Sequence, residues 1–184
     1  GRAFGERIQN SNEHGLYFGL KIAPSRAWRL NLFYDRFRFP WLRYRADAPS
    51  SGDELMLMAS HRYRGVNRVD VQVRMKRVEK NYRPEGHPVN ILRRETRWYA
   101  RLEWAHRPQD RFWVRSRGQF LGYGFVDRRS YGFLLAQDVG YRSRDRFDVI
   151  ARACLFQTDD WYSRQFIFEQ GVLYSYSVPA FYGR

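Results

Sequence analysis

One cysteine, Cys154, and four histidines are all that this chain of 184 residues offers of the usual soft metal ligands. A lone thiol excludes a disulfide framework and a multi-cysteine metal site. Within Ala151-Arg-Ala-Cys-Leu-Phe156 it reads as a small packed side chain. His14, His61, His87 and His106 fall at no His-x-His or His-x-x-x-His spacing, so no zinc-type ligand set is present and no metal or cofactor is expected. Long hydrophobic runs are missing too. The longest, around Gly15–Leu20 and Tyr131–Ala136, are far short of the roughly 20 residues of a membrane-spanning helix. A membrane-spanning strand is not excluded, because it needs only about 9–11 residues in alternation.

Catalytic patterns are equally sparse. Gly122-Tyr-Gly124 is followed by no Lys-Ser/Thr pair and opens no helix, so it is not a phosphate loop. Ser50 and Ser51 sit in a turn with no histidine pattern nearby. Asp159-Asp160 with Glu169 could suggest a carboxylate pair, but neighbours on a strand point apart, and a solvated loop is the simpler reading. No enzyme activity is expected.

What the chain does have is aromatic side chains (18%), 43% hydrophobic residues and a net charge of +14. The hydrophobic share excludes a disordered tail, and the length suits one folded domain over 1–184. A basic balance invites nucleic acid, a membrane surface or an acidic ligand. The arginines are not gathered in a tail, however. They alternate with apolar residues, and the rule behind that alternation is plainest in Val69, Val71, Val73 and Met75, which interleave with Asp70, Gln72, Arg74 and Lys76. This is strand period, one apolar face and one charged. The same turn-plus-strand unit, here Tyr63–Arg77, recurs at Ala23–Leu32, His106–Arg115 and Tyr141–Arg152, an internal repeat of about forty residues.

Taken in order, Gly1–Ile8 reads as the end of a preceding strand and Gln9–Glu13 as a polar loop. Four hairpins follow: about Gly15–Ala23 with Trp28–Arg36, Glu54–Tyr63 with the strand after Gly65-Val66-Asn67, Thr96–His106 with Arg111–Gln119 through Arg107–Asp110, and Tyr131–Tyr141 with Arg146–Phe156 through Ser143-Arg144-Asp145. Long connections are expected at Arg38–Asp53, Asn81–Arg93 and Leu121–Ser130 and from Thr158 on, before a ninth strand at Phe166–Tyr176. Short turns on one rim and long loops on the other are the pattern of an outer-membrane barrel. Trp28, Trp98, Trp104, Trp113, Tyr34, Tyr63, Tyr141 and Tyr174 lie near strand ends, as interfacial belts require. The fold expected is an all-β antiparallel meander of about nine or ten strands, part of a larger transmembrane β-barrel cut at both ends.

In such a barrel Leu30, Leu32, Val71, Val73, Leu102, Val149, Ala151 and Ala153 face lipid. Arg29, Arg62, Arg74, Lys76, Arg97, Arg101, Arg115, Arg117 and Arg152 line the lumen, partly paired with Asp35, Asp70, Glu103 and Asp148. Fully paired, they brace a filled lumen, the favoured reading; with cationic excess exposed, they form an anion-favouring passage.

The stretch Phe37-Arg-Phe-Pro-Trp-Leu-Arg-Tyr-Arg-Ala-Asp-Ala-Pro-Ser-Ser-Gly52 and the tail Tyr174-Ser-Tyr-Ser-Val-Pro-Ala-Phe-Tyr-Gly-Arg184 resemble the β-barrel part of large Bacteroidota envelope proteins usually described by an N-terminal helix-hairpin-helix region. No helix-hairpin-helix segment occurs in this sequence. The resemblance implies an outer-membrane location, contact with outer-membrane lipid and no catalytic residues. The function expected is a passive pore or envelope scaffold, with anionic solutes as candidate cargo. The competing reading is a soluble basic sheet that binds nucleic acid or a small anion. Its weakness is that aromatics and arginines segregate to opposite faces, whereas a stacking platform needs both on one.

Overall fold

The computed structural model describes residues 13–64, 66–143, 147–168 and 178–183. Over them the chain forms one antiparallel meander of eight strands, paired in sequence order. These are β1 (His14–Ile22), β2 (Trp28–Phe39), β3 (Ser50–Tyr63), β4 (Asn67–Tyr82), β5 (Ile91–Gln109), β6 (Phe112–Phe125), β7 (Arg128–Arg142) and β8 (Asp148–Thr158). A 3-10 turn at Trp161–Ser163 leads to β9 (Gln165–Phe166), which pairs with β10 (Ala180–Phe181) in a separate ribbon. Among the described residues β1 and β8 are each paired on one side only, so the sheet is all-β, antiparallel and open rather than closed.

Register turns the period-two pattern into continuous rows. Ile22, Leu30, Ala59, Val71, Leu102, Gly118, Leu135 and Leu155 lie side by side across all eight strands. Leu20, Leu32, Leu57, Val73, Ala100, Phe120 and Phe133 form the next row. A one-residue slip in any strand would break every row at once, which is why the alternation specifies the pairing so strongly.

The two faces are exposed in the opposite sense to a globular protein. Leu57, Val73, Leu102, Leu135 and Leu155 of the apolar face are 41–70% exposed, while Asp35, Glu54 and Asp138 of the charged face are 1–3% exposed. Such asymmetry requires the sheet to curl around its charged face. Its surface is correspondingly large: 13657 Å², against about 9,400 Å² for a compact monomer of this mass. A soluble barrel would gather the apolar stripes into a dry interior; here they are outside.

Two small apolar clusters nevertheless lie on the charged, concave face. Phe37, Phe39 and Val78 pack under the 40–49 connection, where Ala46 is 1% exposed. Leu134, Ala136 and Ile167 form the second, with Cys154, Phe156 and Phe181 against it. Ile167 and Phe181 belong to the segment after β8, which therefore folds back over the inside of β7 and β8.

Several expectations are corrected here. Phe166 does not extend the sheet as a ninth strand; it pairs with Ala180 across the concave face, and the rest of that expected strand, with Tyr174, lies outside the described residues, as do Gly1–Ile8, most of Gln9–Glu13, Gly65 and Arg144–Arg146. Leu121–Ser130 is no long connection, because β6 and β7 are joined by Val126-Asp127 alone. Long and short connections therefore do not alternate strictly: 40–49 and 83–90 are long, 126–127 is not. Trp113 lies on the charged face, its ring over Gly140, whose Cβ position is 2.1 Å from the indole.

Candidate functional site: the charged concave face

Alternation places Arg29, Arg62, Arg74, Lys76, Arg97, Arg101, Arg115, Arg117 and Arg152 all on the concave face. They are not brought to one point. They spread over six strands, and six of them, Arg74, Lys76, Arg97, Arg115, Arg117 and Arg152, pair with a small set of buried carboxylates.

Near the rim of the long connections, Glu54 on β3 lies at ion-pair distance from Arg74, 2.8 Å, and from Lys76, 3.6 Å, both on β4. Glu95 on β5, 6% exposed, takes Lys80 at 2.6 Å, Arg97 at 3.1 Å and the hydroxyl of Tyr123, which donates across 3.1 Å. Mid-sheet, Arg117 donates twice to Glu103, with the shorter bond at 2.6 Å. Asp138 on β7 is held from both sides, by Arg115 of β6 at 2.6 Å and Arg152 of β8 at 2.8 Å. Arg68 pairs with Asp70 on its own strand.

Of the carboxylates expected as partners of these nine cations, Glu103 takes that role with Arg117, while Asp70 pairs with Arg68 and Asp148 pairs at the rim with Arg142 at 3.2 Å. Glu54, Glu95 and Asp138 were missed, yet each holds two cations. Glu54 precedes the stripe Leu55, Leu57, Ala59 and so was readable as its opposite face. Asp138 was not: β7 carries apolar residues on both faces, Leu134 and Ala136 inward and Phe133 and Leu135 outward.

A buried carboxylate flanked by two guanidinium groups gains charge-assisted hydrogen bonds but carries a desolvation cost, so it contributes little net stability while strongly disfavouring removal of one partner. The arrangement thus braces the curl: the bridges from Glu54, Glu103 and Asp138, and that from Glu95 to Lys80, tie neighbouring strands across the concave side. Further bracing comes from the folded-back segment. Asp160 caps the 3-10 turn through Tyr162 N–H and accepts from Ser130 at 2.6 Å, and Asp159 accepts from the Tyr131 N–H. The Asp159-Asp160 pair lies in a loop, as expected, with Asp159 exposed, and the same two carboxylates fasten that loop to β7. Tyr162 stacks on Tyr123 at 4.7 Å, and Arg152 donates to the Phe168 carbonyl at 2.6 Å.

The outer face has its own order. At the short-turn rim Trp28, His61, Tyr63, Trp104, His106, Phe112 and Tyr141 make a nearly unbroken aromatic row, with Trp28 and His61 rings 4.3 Å apart and Trp104 and His106 stacked at 5.7 Å. On the opposite side of the aliphatic rows Tyr34, Trp98 and Tyr131 form a second row, beyond which Arg36, Asp53, Arg77 and Arg94 begin a charged border. Arg77 grips Asp53 with two nitrogens, at 2.9 and 2.7 Å. Among the described residues no helix is long and apolar enough to cross a membrane, and no group of three metal-ligating side chains occurs. No family model, curated protein or solved structure matches the chain.

Proposed function

We propose that the chain is part of a bacterial outer-membrane β-barrel that acts as a passive, internally braced passage or envelope scaffold, without catalysis of its own. The observation that carries this reading is the apolar outer band itself, two aliphatic rows running over the sheet between aromatic rows, with a charged border beyond. From Trp98 to Trp104 the band measures about 20 Å along the strand at ~3.3 Å per residue. With its aromatic edges it is close to the ~25 Å apolar band of outer-membrane barrels. Water is a poor solvent for it: each fully exposed leucine or phenylalanine costs about 1.5–3 kcal/mol relative to an apolar environment. The sheet is open at β1 and β8 among the described residues, and a piece of a larger barrel is the reading that the resemblance to Bacteroidota envelope barrels supports.

Cysteine accessibility tests the placement. In a Cys154→Ala background, single cysteines at positions 73 and 74 are reacted with a water-soluble thiol reagent after reconstitution into vesicles that are floated on a density gradient. Position 74 should react and position 73 should be protected; the reverse pattern refutes the proposal. If the reconstituted protein conducts, the concave excess of arginine should favour anions, and Arg74→Gln, Arg101→Gln and Arg117→Gln together should weaken that preference.

The nucleic-acid reading loses support because two of the aromatics that share the concave face with the arginines, Tyr123 and Trp113, are occupied. Tyr123 is 5% exposed beneath Tyr162, and Trp113 lies on Gly140 with Arg115 over its ring. Salt-dependent binding of single-stranded nucleic acid by a chain that does not float with vesicles would reinstate it.

A further inference from the structure

The concave face ends, at the short-turn rim, in a cavity of about 520 Å³ walled by six consecutive strands, β3 to β8. Two carboxylates, Glu103 and Asp148, line it, held by Arg117 and Arg142, against five arginines, Arg62, Arg68, Arg107, Arg115 and Arg142. Arg62 on β3 stands directly opposite Arg68 on β4, a like-charge pair at a position where cross-strand repulsion is destabilising. The row continues through Ala105 to Arg115 and meets no carboxylate before Asp138. Arg68 and Arg115 have partners in Asp70 and Asp138. Arg62 and Arg107, both lining the cavity, have no carboxylate at ion-pair distance among the described residues.

Arg107 is placed by a dedicated device. The register of β5 on β6 shifts between His106 and Gln109, a β-bulge of the kind that re-aims a side chain. Asn67, 6% exposed, holds it: its side-chain oxygen accepts the Arg107 N–H at 3.0 Å and meets His106 Nδ1 at 2.9 Å. Ala105, between Arg68 and Arg115, leaves the space in front of these cations unfilled. A cavity lined by more arginines than carboxylates, two guanidinium groups without a carboxylate partner and a bulge at one of them are the elements of an oxyanion site, because a guanidinium presents a planar fork that matches a phosphoryl or carboxylate group.

We infer that this cavity binds a phosphoryl group, with Arg62 and Arg107 as its primary contacts and Arg68 and Arg115 behind them. The inference does not depend on membrane insertion, so it stands or falls separately from the barrel proposal. The probe is inorganic pyrophosphate, titrated calorimetrically at fixed ionic strength into the chain folded in dodecyl maltoside. Saturable one-to-one binding is expected, weakened at least tenfold by Arg62→Gln with Arg107→Gln. The control of equal charge loss, Arg36→Gln with Arg94→Gln on the outer face, should leave it unchanged.

Ala105→Leu, which fills the gap without touching charge, should also abolish binding while circular dichroism stays that of the folded sheet. A second arm replaces pyrophosphate with phosphatidic acid doped into the micelles. Binding of either assigns the source of the phosphoryl group, soluble or lipid. No saturable binding of either, or equal weakening by the control pair, overturns the inference.

Discussion

Trp104 on β5 donates its indole N–H to the hydroxyl of Tyr63 on β3 across 2.6 Å, reaching over the intervening strand β4. The bond lies on the outer face, where both rings are at the edge of the aliphatic rows. Amphipathic rings with their polar atoms joined at one level suit a boundary between apolar and aqueous surroundings.

That boundary predicts a depth profile. In single-tryptophan variants reconstituted with brominated lipids, Trp98 and Trp104, at opposite edges of the band on β5, should be quenched most by bromines near the headgroups. A tryptophan introduced by Leu102→Trp should be quenched most by bromines deeper in the chains. Equal quenching of all three, or none, counts against the band as a membrane belt.

The carboxylates of the concave face should behave as braces. Asp138→Asn leaves Arg115 and Arg152 facing each other across a neutral amide, and the loss should be about 2–3 kcal/mol in urea unfolding, below the full buried-pair figure because both arginines are partly exposed. Glu103→Gln, with a single arginine partner, should cost less. Restoring balance in Asp138→Asn with Arg152→Gln should recover part of the loss, a coupling that a double-mutant cycle measures. Strict additivity of the two changes would mean the bridge is ornamental.

The two long connections are pinned to each other through Asp47. The Asn90 amide donates to its carboxylate at 2.6 Å, and Asn81 receives the Asp47 N–H at 2.9 Å. Hydrogen bonding, chiefly from Asn90, lowers the Asp47 pKa from its ordinary value of 3.8. A depressed carboxylate contributes its stabilisation in full above its unfolded pKa and loses it as pH falls through the folded one. Exchange protection in 40–49, taken relative to the intrinsic amide rate at each pH, should thus be unchanged from pH 7 to pH 5 and fall only below pH 3.8, which is the acceleration that counts here. Asp47→Asn should remove that acid step, and an acceleration already complete at pH 5 would contradict the pinning.

The pairing of the faces was legible in sequence because residues such as Val71, Val73 and Leu102 leave no other period, and the same alternation put nine cations on one face. Where reading failed, glycine and turn chemistry misled. Gly122 and Gly124 look like a loop, but Gly122 lies in the row between Trp98 and Tyr131, whose ring passes 3.5 Å from its Cβ position. The hairpin they were taken to interrupt turns at Val126, a β-branched residue at φ 55°. Nothing in Phe125-Val-Asp-Arg128 announces a turn, since glycine or asparagine is the usual occupant of that conformation. The folded-back segment was also hidden: Ile167 packs on Leu134 and Ala136, a contact that no local pattern encodes.

That segment rests on one place where a side chain cannot exist. A Cβ on Gly132 would lie 2.2 Å from the Ser163 carbonyl oxygen and 3.0 Å from Thr158 Cγ2. The first neighbour is backbone, so relief requires the 3-10 turn and β9 to move off β7. Gly132→Ala should therefore cost about 1–3 kcal/mol, the usual range for overpacking, and expose Trp161, Tyr162 and Phe166 to chymotrypsin. Gly124→Ala is the control, because nothing lies within 4 Å of its Cβ position; it should leave both stability and cleavage as they were. If Gly132→Ala is cut no faster than Gly124→Ala, the segment is not held against β7 in solution.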